Sequence, residues 1–174
     1  MIRRIRSGAL LGPWIGEAAP PTRYRRPVTP RDPDYAERIR ALFAETPFMR
    51  HLGVELLGCA PGRCETRIRV QPWQHQQDGF VHAGVQATLA DHTAGAAAGT
   101  LMAKDEAVLT VELKINMLRP ALGEELRCVA VVLRPGARIT VVEAEVFTRR
   151  GADEKLTAKA MVTLTFVPAR PARA

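Results

Sequence analysis

A chain of 174 residues, 47% of them hydrophobic, is large enough for one domain with a substantial core. Its formal net charge of +7 lies entirely at the two ends, because residues 1–33 carry +5, residues 168–174 carry +2, and residues 34–167 are neutral. This distribution argues against the basic face of a nucleic-acid-binding domain, and no uninterrupted apolar run is long enough to span a membrane. We therefore expect neither nucleic acid nor a membrane as a partner.

Composition divides the chain into three parts. Residues 1–33 are rich in Pro and Arg and lack hydrophobic periodicity, which predicts a poorly ordered extension. Residues 34–167 form the predicted domain, and residues 168–174 form a short tail. Pro13 and Glu17 interrupt the apolar stretch near the start, so we do not interpret that stretch as a signal peptide.

The cysteine and histidine spacings indicate free thiols and no metal site. The three cysteines, Cys59, Cys64 and Cys128, are odd in number and lack the paired spacing of zinc ligands. Reduced thiols are typical of a cytoplasmic protein, which is the location we expect. The four histidines form neither an HxH nor an HExxH pattern, so we expect no bound metal.

The first predicted element is a surface helix that begins at Asp34 and ends before Pro47. The spacing of Asp34 and Glu37 resembles a capping box. An apolar stripe at i, i+4, i+7 and i+8 is typical of a surface helix: Tyr35, Ile39, Leu42 and Phe43. We interpret Asp34 and Glu37 as a helix cap without chemistry.

A period of two then predicts strands. Two strands are expected over residues 52–59 and 64–70, with a turn at Ala-Pro-Gly between them. After a long helix, four more strands are expected over residues 109–117, 124–134, 142–146 and 156–166. In the first of these four, alternation places Thr110 on the same face as Glu112 and Lys114. Short turns between long alternating strands predict an antiparallel sheet with one wet face.

The stretch that connects these strands is a polar loop followed by a nearly apolar helix. The loop spans residues 76–82, and the helix runs to about residue 102 with Asp91 near its middle. Burying an ionised carboxylate without a partner is costly, so Asp91 either bonds to a core hydroxyl or amide or has a chemical role. One sheet covers only one side of such a helix, which predicts a second copy of the chain on the other side.

These residues resemble the PaaI-type acyl-CoA thioesterases of the phenylacetate-degradation kind. The resemblance lies in the loop from Gln76, in Asp91 seven residues after Gly84, and in residues 109–121; it covers residues 38–167 in all. Many members have His-Gly-Gly where this chain has an alanine at position 83. The resemblance implies an α+β hotdog fold, in which a curved antiparallel sheet wraps a long central helix. It also implies an acyl-CoA substrate, no cofactor besides the substrate's own CoA, and a homodimer or dimer of dimers.

The same residues suggest how a thioester would be hydrolysed. A helix N-terminus offers unpaired N–H groups, so the amides of Ala83 and Gly84 are candidate oxyanion donors. The resemblance implies a second donor in the side chain of Gln76, with the adjacent Gln77 as an alternative contact to substrate. Asp91 would act as general base or nucleophile, and the sequence does not separate the two roles.

Four further residues complete the predicted site. His82 is expected to order the loop rather than to take a proton. Thr110 aligns with a hydroxyl that orients water in the resembling enzymes, and its alternative interpretation is a β-branched strand residue. Arg134 and Arg138 flank the Pro-Gly turn as candidate contacts to CoA phosphates or as solvated hairpin charges.

Two other functions are consistent with the same pattern. A hotdog dehydratase would use a histidine, here His82, with a carboxylate on a 3-hydroxyacyl thioester. A non-catalytic module would only bind acyl-CoA. Asp91 argues against the second alternative, because binding an uncharged acyl thioester gains nothing from a carboxylate on an apolar helix.

Overall fold

The computed structural model describes residues 28–169, which form three helices, a short 3-10 turn and one six-stranded sheet. The helices are α1 (Tyr35–Glu45), α2 (Pro47–Leu52) and α3 (Ala83–Gly99), and the 3-10 turn is Pro72–Gln74. The strands are β1 (Val54–Ala60), β2 (Arg63–Arg69), β3 (Glu106–Met117), β4 (Glu125–Arg134), β5 (Ile139–Arg150) and β6 (Asp153–Pro168). The strand order is β1-β2-β4-β5-β6-β3, and every neighbouring pair is antiparallel. The predicted α+β class, the long helix and the antiparallel sheet are confirmed.

Helix α3 is the centre of the core, because it contacts all six strands. Two buried polar contacts set its position on the sheet. Thr93 donates to the Leu89 carbonyl at 2.6 Å and forms a 2.6 Å hydroxyl–hydroxyl bond with Thr66 of β2. Thr157 of β6 donates to the Gln86 side-chain oxygen at 2.8 Å. Since these buried polar groups are paired, they fix the helix at both sides of the sheet without a desolvation cost.

A bulge in the edge strand β3 overturns one prediction. Thr110 lies opposite the fully buried Leu164, and the register then shifts at Val111. The extra residue reverses the alternation, so that Thr110 points to the helix side of the sheet, and Leu109 and Val111 are 54% and 59% exposed. The expectation that Thr110 shares a face with Glu112 was therefore wrong.

The start of the domain also differs from the predicted pattern. Asp34 precedes α1, but its side chain forms no cap hydrogen bond. Instead, the buried carboxylate of Asp32 accepts the Asp34 N–H at 3.0 Å and pairs with Arg38 at 3.2 Å. Leu52, expected in a strand, ends helix α2, because Gly53 adopts a left-handed conformation with φ of 73°.

Two arginines bind the backbone beyond the C-terminal end of α3. Arg31 donates from Nε to the Leu101 carbonyl at 3.0 Å. Arg38 donates to the carbonyls of Met102 and Ala103 at 3.0 and 2.8 Å. The C-terminal end of a helix dipole attracts cations, so the two guanidinium groups stabilise this end while they hold the segment that follows it.

Glu106 connects the same region to the sheet. Its carboxylate pairs with Arg31 and accepts the Ala103 N–H at 2.9 Å. Desolvation by burial raises the pKa of Glu106, but the Ala103 amide and the Arg31 guanidinium outweigh it and hold the pKa below its ordinary value. The contact therefore stabilises the fold above the ordinary pKa of a glutamate and is lost as pH falls through the lowered value.

A shortened protein tests whether the residues just before the predicted boundary support the domain. A protein of residues 34–169 lacks Arg31 and Asp32, so we expect it to be less stable to urea than residues 28–169 by on the order of 2 kcal/mol. The matched control is Arg31→Ala in the longer protein, which should lose only part of that stability. Equal unfolding curves for the two lengths would show that these contacts contribute nothing. The boundary at residue 34 stays a prediction.

Candidate active site

The loop before α3 is closed by backbone hydrogen bonds and tied to the end of the sheet. The Gln76 N–H donates to the Phe80 carbonyl at 2.8 Å, and the Gly79 N–H donates to the Gln76 carbonyl at 3.0 Å. Gly79 has φ of 81°, which its lack of a side chain permits. The Val81 N–H donates to the Ala121 carbonyl at 3.0 Å. The loop is therefore a fixed platform at the N-terminal end of α3.

The side chain of Gln76 is oriented with its donor free. Its carboxamide oxygen accepts the Asp78 N–H, and this contact assigns the other terminal atom as the NH₂ group. That NH₂ group forms no hydrogen bond with any residue of the described range 28–169, so it is available to a substrate. The neighbouring Gln77 is exposed, and its NH₂ group donates to the Asp78 carboxylate at 3.1 Å.

The first turn of α3 corrects the expectation of two free backbone amides. His82 is the N-cap residue, and its Nδ1 accepts the Gly84 N–H at 2.9 Å. A side chain at position 84 would meet that imidazole, with Cβ 2.9 Å from Nδ1, which explains glycine there. The Gly84 amide is thus occupied, while the Ala83 N–H has no acceptor among the described residues. His82 orders the helix start, as predicted.

Alanine is compatible with position 83. No non-glycine residue between positions 28 and 169 has a positive φ, so the methyl group of Ala83 causes no backbone strain. The Ala83 N–H at the positive end of the helix dipole and the free NH₂ of Gln76 are therefore the two candidate donors to a developing oxyanion.

Asp91 and Thr110 are brought together by the bulge in β3. The Thr110 hydroxyl donates to Asp91 Oδ1 at 2.8 Å, and the second carboxylate oxygen has no partner within residues 28–169. Asp91 is half-buried, not enclosed in the core. At 100° per residue, Gly84, Thr88 and Asp91 share one strip of α3, and this strip faces away from the core residues that contact the sheet. The carboxylate thus faces the uncovered side of the helix.

The candidate donor and the carboxylate of one chain are separated along α3. The eight residues from Ala83 to Asp91 extend about 12 Å along the helix axis. A carbonyl and the group that attacks it approach within about 3 Å in a reactive arrangement. This separation is larger than one reacting carbonyl spans.

An aromatic groove opens beside the N-terminal end of α3, and the sequence analysis missed it. The groove has a volume of about 410 Å³ and is lined by Phe48, Leu52, Trp73, Gln74, His75, His82, Gly84, Val85 and Thr88. Phe48 and Trp73 are 57% and 54% exposed, and His51 stacks at a tilt on Trp73 with ring centroids 5.2 Å apart. Phe48 and Trp73 are aromatic residues in otherwise polar or Pro-containing segments, and this was the signal in the sequence that could have indicated the groove.

His92 lies next to Asp91 in sequence but has a packing role. Its ring meets Phe43 edge-to-face with centroids 4.8 Å apart. Burial lowers the pKa of His92, and the nearby Asp91 carboxylate opposes this effect only in part. The imidazole is therefore neutral at physiological pH.

Arg134 and Arg138 lie at the opposite end of the sheet from the loop of their own chain. The Val132 N–H donates to the Gly62 carbonyl at 2.8 Å, and the Gly62 N–H donates to the Thr100 hydroxyl at 2.8 Å. The β4–β5 turn is thus next to the C-terminal end of α3. Both arginines are exposed, and their contact with CoA phosphates stays a prediction.

The cysteines and the acidic residues form no second site in the described part of the chain. All three cysteines are free, as predicted, and burial raises the pKa of Cys128 to about 12, so this thiol is not a nucleophile. Across residues 28–169, no group of three or more His, Cys, Asp or Glu side chains is placed to hold a metal ion. Likewise, none of the helices described there has the length and apolarity needed to cross a membrane.

Comparison with known proteins agrees with the geometry. Residues 78–162 match the family model of the Thioesterase superfamily. A crystal structure of a thioesterase family protein from Silicibacter pomeroyi is 38% identical and has a TM-score of 0.76; the alignment covers 78% of this chain and 99% of that one. The chain belongs to the Thioesterase superfamily. Its sheet and central helix are therefore a hotdog thioesterase fold.

Other similar proteins differ more from this chain in sequence or in length. A proposed esterase of Caenorhabditis elegans is 36% identical over 102 residues, which are 56% of this chain and 59% of that protein. A 1,4-dihydroxy-2-naphthoyl-CoA hydrolase of Listeria monocytogenes is 31% identical over 67 residues, or 38% of this chain and 54% of that enzyme. The PaaI protein of Escherichia coli has a TM-score of 0.68 at 18% identity, with 75% and 91% of the chains covered, and shares the fold. The chain thus spans little more than half the length of the Caenorhabditis elegans and Listeria monocytogenes relatives.

Proposed function

We propose that this protein hydrolyses acyl-CoA thioesters in a site shared by two copies of the chain. The observation that carries the proposal is the hydrogen bond between Thr110 and Asp91, because Asp91 lies on the uncovered strip of α3. Membership of the Thioesterase superfamily and the CoA hydrolase among its relatives support the reaction class.

The roles follow from the available donors and acceptors. The thioester carbonyl accepts hydrogen bonds from the Ala83 N–H and the Gln76 NH₂ group, which stabilise the negative charge that develops on its oxygen. Asp91 acts either as the base that takes a proton from water or as the nucleophile, with Thr110 holding its Oδ1. A carbon–oxygen bond forms to water, either directly at the thioester carbonyl or at the mixed anhydride that Asp91 would form as nucleophile, and the carbon–sulfur bond breaks. A proton from this water goes to the CoA thiolate, so that CoA leaves as the thiol and the acyl group leaves as the free acid.

A second copy would supply the missing half of each site. Strand β3 is at the edge of the sheet, and its exposed side chains include Leu109, Val111 and Met117. Pairing two such edges covers this apolar surface and the uncovered strip of α3 that carries Gly84, Thr88 and Asp91. Antiparallel α3 helices then place Asp91 of the partner subunit near the Ala83 amide. A further dimer-of-dimers assembly and a cytoplasmic location stay predictions.

The two alternatives are less well supported by the geometry. A dehydratase would need His82 as an acid or base, but its Nδ1 already accepts the Gly84 N–H, and no carboxylate of residues 28–169 bonds to its ring. A non-catalytic module would gain no affinity for an uncharged acyl thioester from the Asp91–Thr110 pair on the uncovered strip of α3.

Thiol release from a panel of acyl-CoAs tests the function. The panel runs from short aliphatic to aryl-acetyl and long-chain thioesters, and free CoA is measured with a thiol reagent. We expect hydrolysis of at least one class with kcat of roughly 1–10³ s⁻¹. A panel without turnover, alongside saturable binding of acyl-CoA, would instead support the binding module. Conversion of a 2-enoyl or 3-hydroxyacyl thioester without thiol release would support the dehydratase.

A further inference from the structure

A second cleft lies at the end of the sheet where β3 ends and where a turn joins β5 to β6. Its volume is about 370 Å³, and it is lined by Arg119, Pro120, Leu122, Thr148, Arg150, Asp153 and Lys155. None of these residues belongs to the groove beside α3, and none is among the site residues predicted from the sequence. The lining combines three cations with one carboxylate and two apolar side chains.

The three cations of this cleft lack carboxylate partners. Within the described part of the chain, neither Arg119, Arg150 nor Lys155 forms an ion pair, whereas Arg127 and Lys159 on the outer face of the sheet each pair with two glutamates. Arg119 is held in place, because its Nη1 donates to the Leu156 carbonyl at 2.9 Å. The cleft therefore concentrates positive charge that the domain itself does not neutralise.

Thr148 supplies an independent sign that the cleft receives a ligand. The residue lines the cleft and is only 5% exposed. Its hydroxyl is buried and has no hydrogen-bond partner in the described range. A buried polar atom without a partner is uncommon in a folded domain and costs free energy unless something else binds it.

The cleft is connected to the predicted oxyanion site of the same chain. The Arg119 N–H donates to the Thr157 carbonyl at 3.3 Å, and the Thr157 hydroxyl bonds to Gln86 in the first half of α3. Asp153 lies four strand residues before Thr157, or about 13 Å along β6. The Val81 N–H, two residues before Ala83, also donates to the carbonyl of Ala121, which lies between Pro120 and Leu122, so the cleft and the start of α3 are at the same end of the sheet.

We propose that this cleft binds the phosphate groups of the CoA part of the substrate. Two guanidinium groups and an ammonium group match the charge and the acceptor oxygens of phosphate esters. Pro120 and Leu122 offer apolar walls to the adenine or the pantetheine arm. The assignment rests on the proposed function, and it places the phosphates at the end of the sheet opposite to Arg134 and Arg138.

Kinetics with two thioesters test the assignment. We expect Arg150→Ala with Lys155→Ala to raise KM for the acyl-CoA about tenfold and leave kcat within about twofold. The acyl-pantetheine thioester with the same acyl group lacks the phosphates, so its KM should not change. The matched control is Arg40→Ala with Lys104→Ala, which removes two exposed cations, one on α1 and one after α3, and should leave both KM values unchanged. Arg134→Ala with Arg138→Ala tests the alternative phosphate contacts at the other end of the sheet. Arg119→Ala, checked for folding by its thermal unfolding curve, should act like the first pair.

Binding of adenosine 3′,5′-bisphosphate, measured by calorimetry, tests the cleft without catalysis. The wild type should bind it in a salt-dependent manner, and the Arg150/Lys155 double variant should bind about tenfold more weakly. Thr148→Val should weaken binding by a smaller factor. If the double variant keeps wild-type affinity and KM, or if the Arg134/Arg138 variant loses them instead, the assignment is wrong. If no thioester is hydrolysed, the proposed function fails, while the bisphosphate result still decides the cleft.

Discussion

Replacing Asp91 by asparagine is expected to lower kcat by roughly two to four orders of magnitude, the range associated with a positioned base. Asparagine has nearly the shape of aspartate, and its carbonyl oxygen can still accept the Thr110 hydroxyl, so the fold should be unchanged. The measurement is steady-state hydrolysis of the best acyl-CoA from the panel, with thermal unfolding to confirm folding. Turnover equal to that of the wild type would remove Asp91 from the mechanism.

Thr110 provides the graded control for this prediction. Thr110→Val keeps the β-branched shape at the bulge but removes the hydrogen bond to Asp91, so we expect kcat to fall by only about tenfold. Thr110→Ser restores the hydroxyl and should recover most of that loss. If valine and serine behave alike, the hydroxyl has no part in orienting the carboxylate, and Thr110 is only a strand residue.

Mixing two inactive variants is expected to restore activity if each site is shared between two chains. Asp91→Ala removes the carboxylate in the middle of α3, and Gln76→Ala removes an oxyanion donor in the loop before the same helix. A mixed dimer then has one site with both residues and one site with neither. Since half of the dimers formed at random are mixed, co-refolding equal amounts should recover up to about a quarter of wild-type activity. The physical reason is the separation of about 12 Å along the axis of α3 between the start of the helix, beside which Gln76 lies, and Asp91 of the same chain.

The control for this experiment mixes Asp91→Ala with Asp91→Asn, which leaves every site without the carboxylate. That mixture should stay inactive, although it forms mixed dimers to the same extent. Native mass spectrometry measures the mixed fraction directly. If both single variants are inactive, mixed dimers are abundant, and the first mixture still shows no recovery, then each chain contains a complete site and the shared arrangement is wrong.

Local sequence was sufficient to predict the elements whose structure depends on periodicity. Helix α3 was recognisable because small and apolar residues surround a single carboxylate, and β6 because Ala158, Ala160, Val162 and Leu164 alternate without interruption. In β6 the burial of each residue repeats at the period of the strand, so no partner strand is needed to predict it. In α3 a long run of helix-forming small and apolar residues, rather than periodicity, indicates the helix.

Tertiary pairing decided the features on which the site depends. The bulge at Val111 exists only in the register of β3 against β6, and it turns Thr110 toward Asp91 against the local alternation. The contact between His82 and the Gly84 N–H depends on a side-chain rotamer at the helix start, so counting free amides from the sequence was misleading. Periodicity describes how side chains alternate along one element. Contacts between elements decide which polar groups meet. A single inserted residue or one side-chain hydrogen bond changes the partners of a polar group but leaves the alternation of the sequence unchanged.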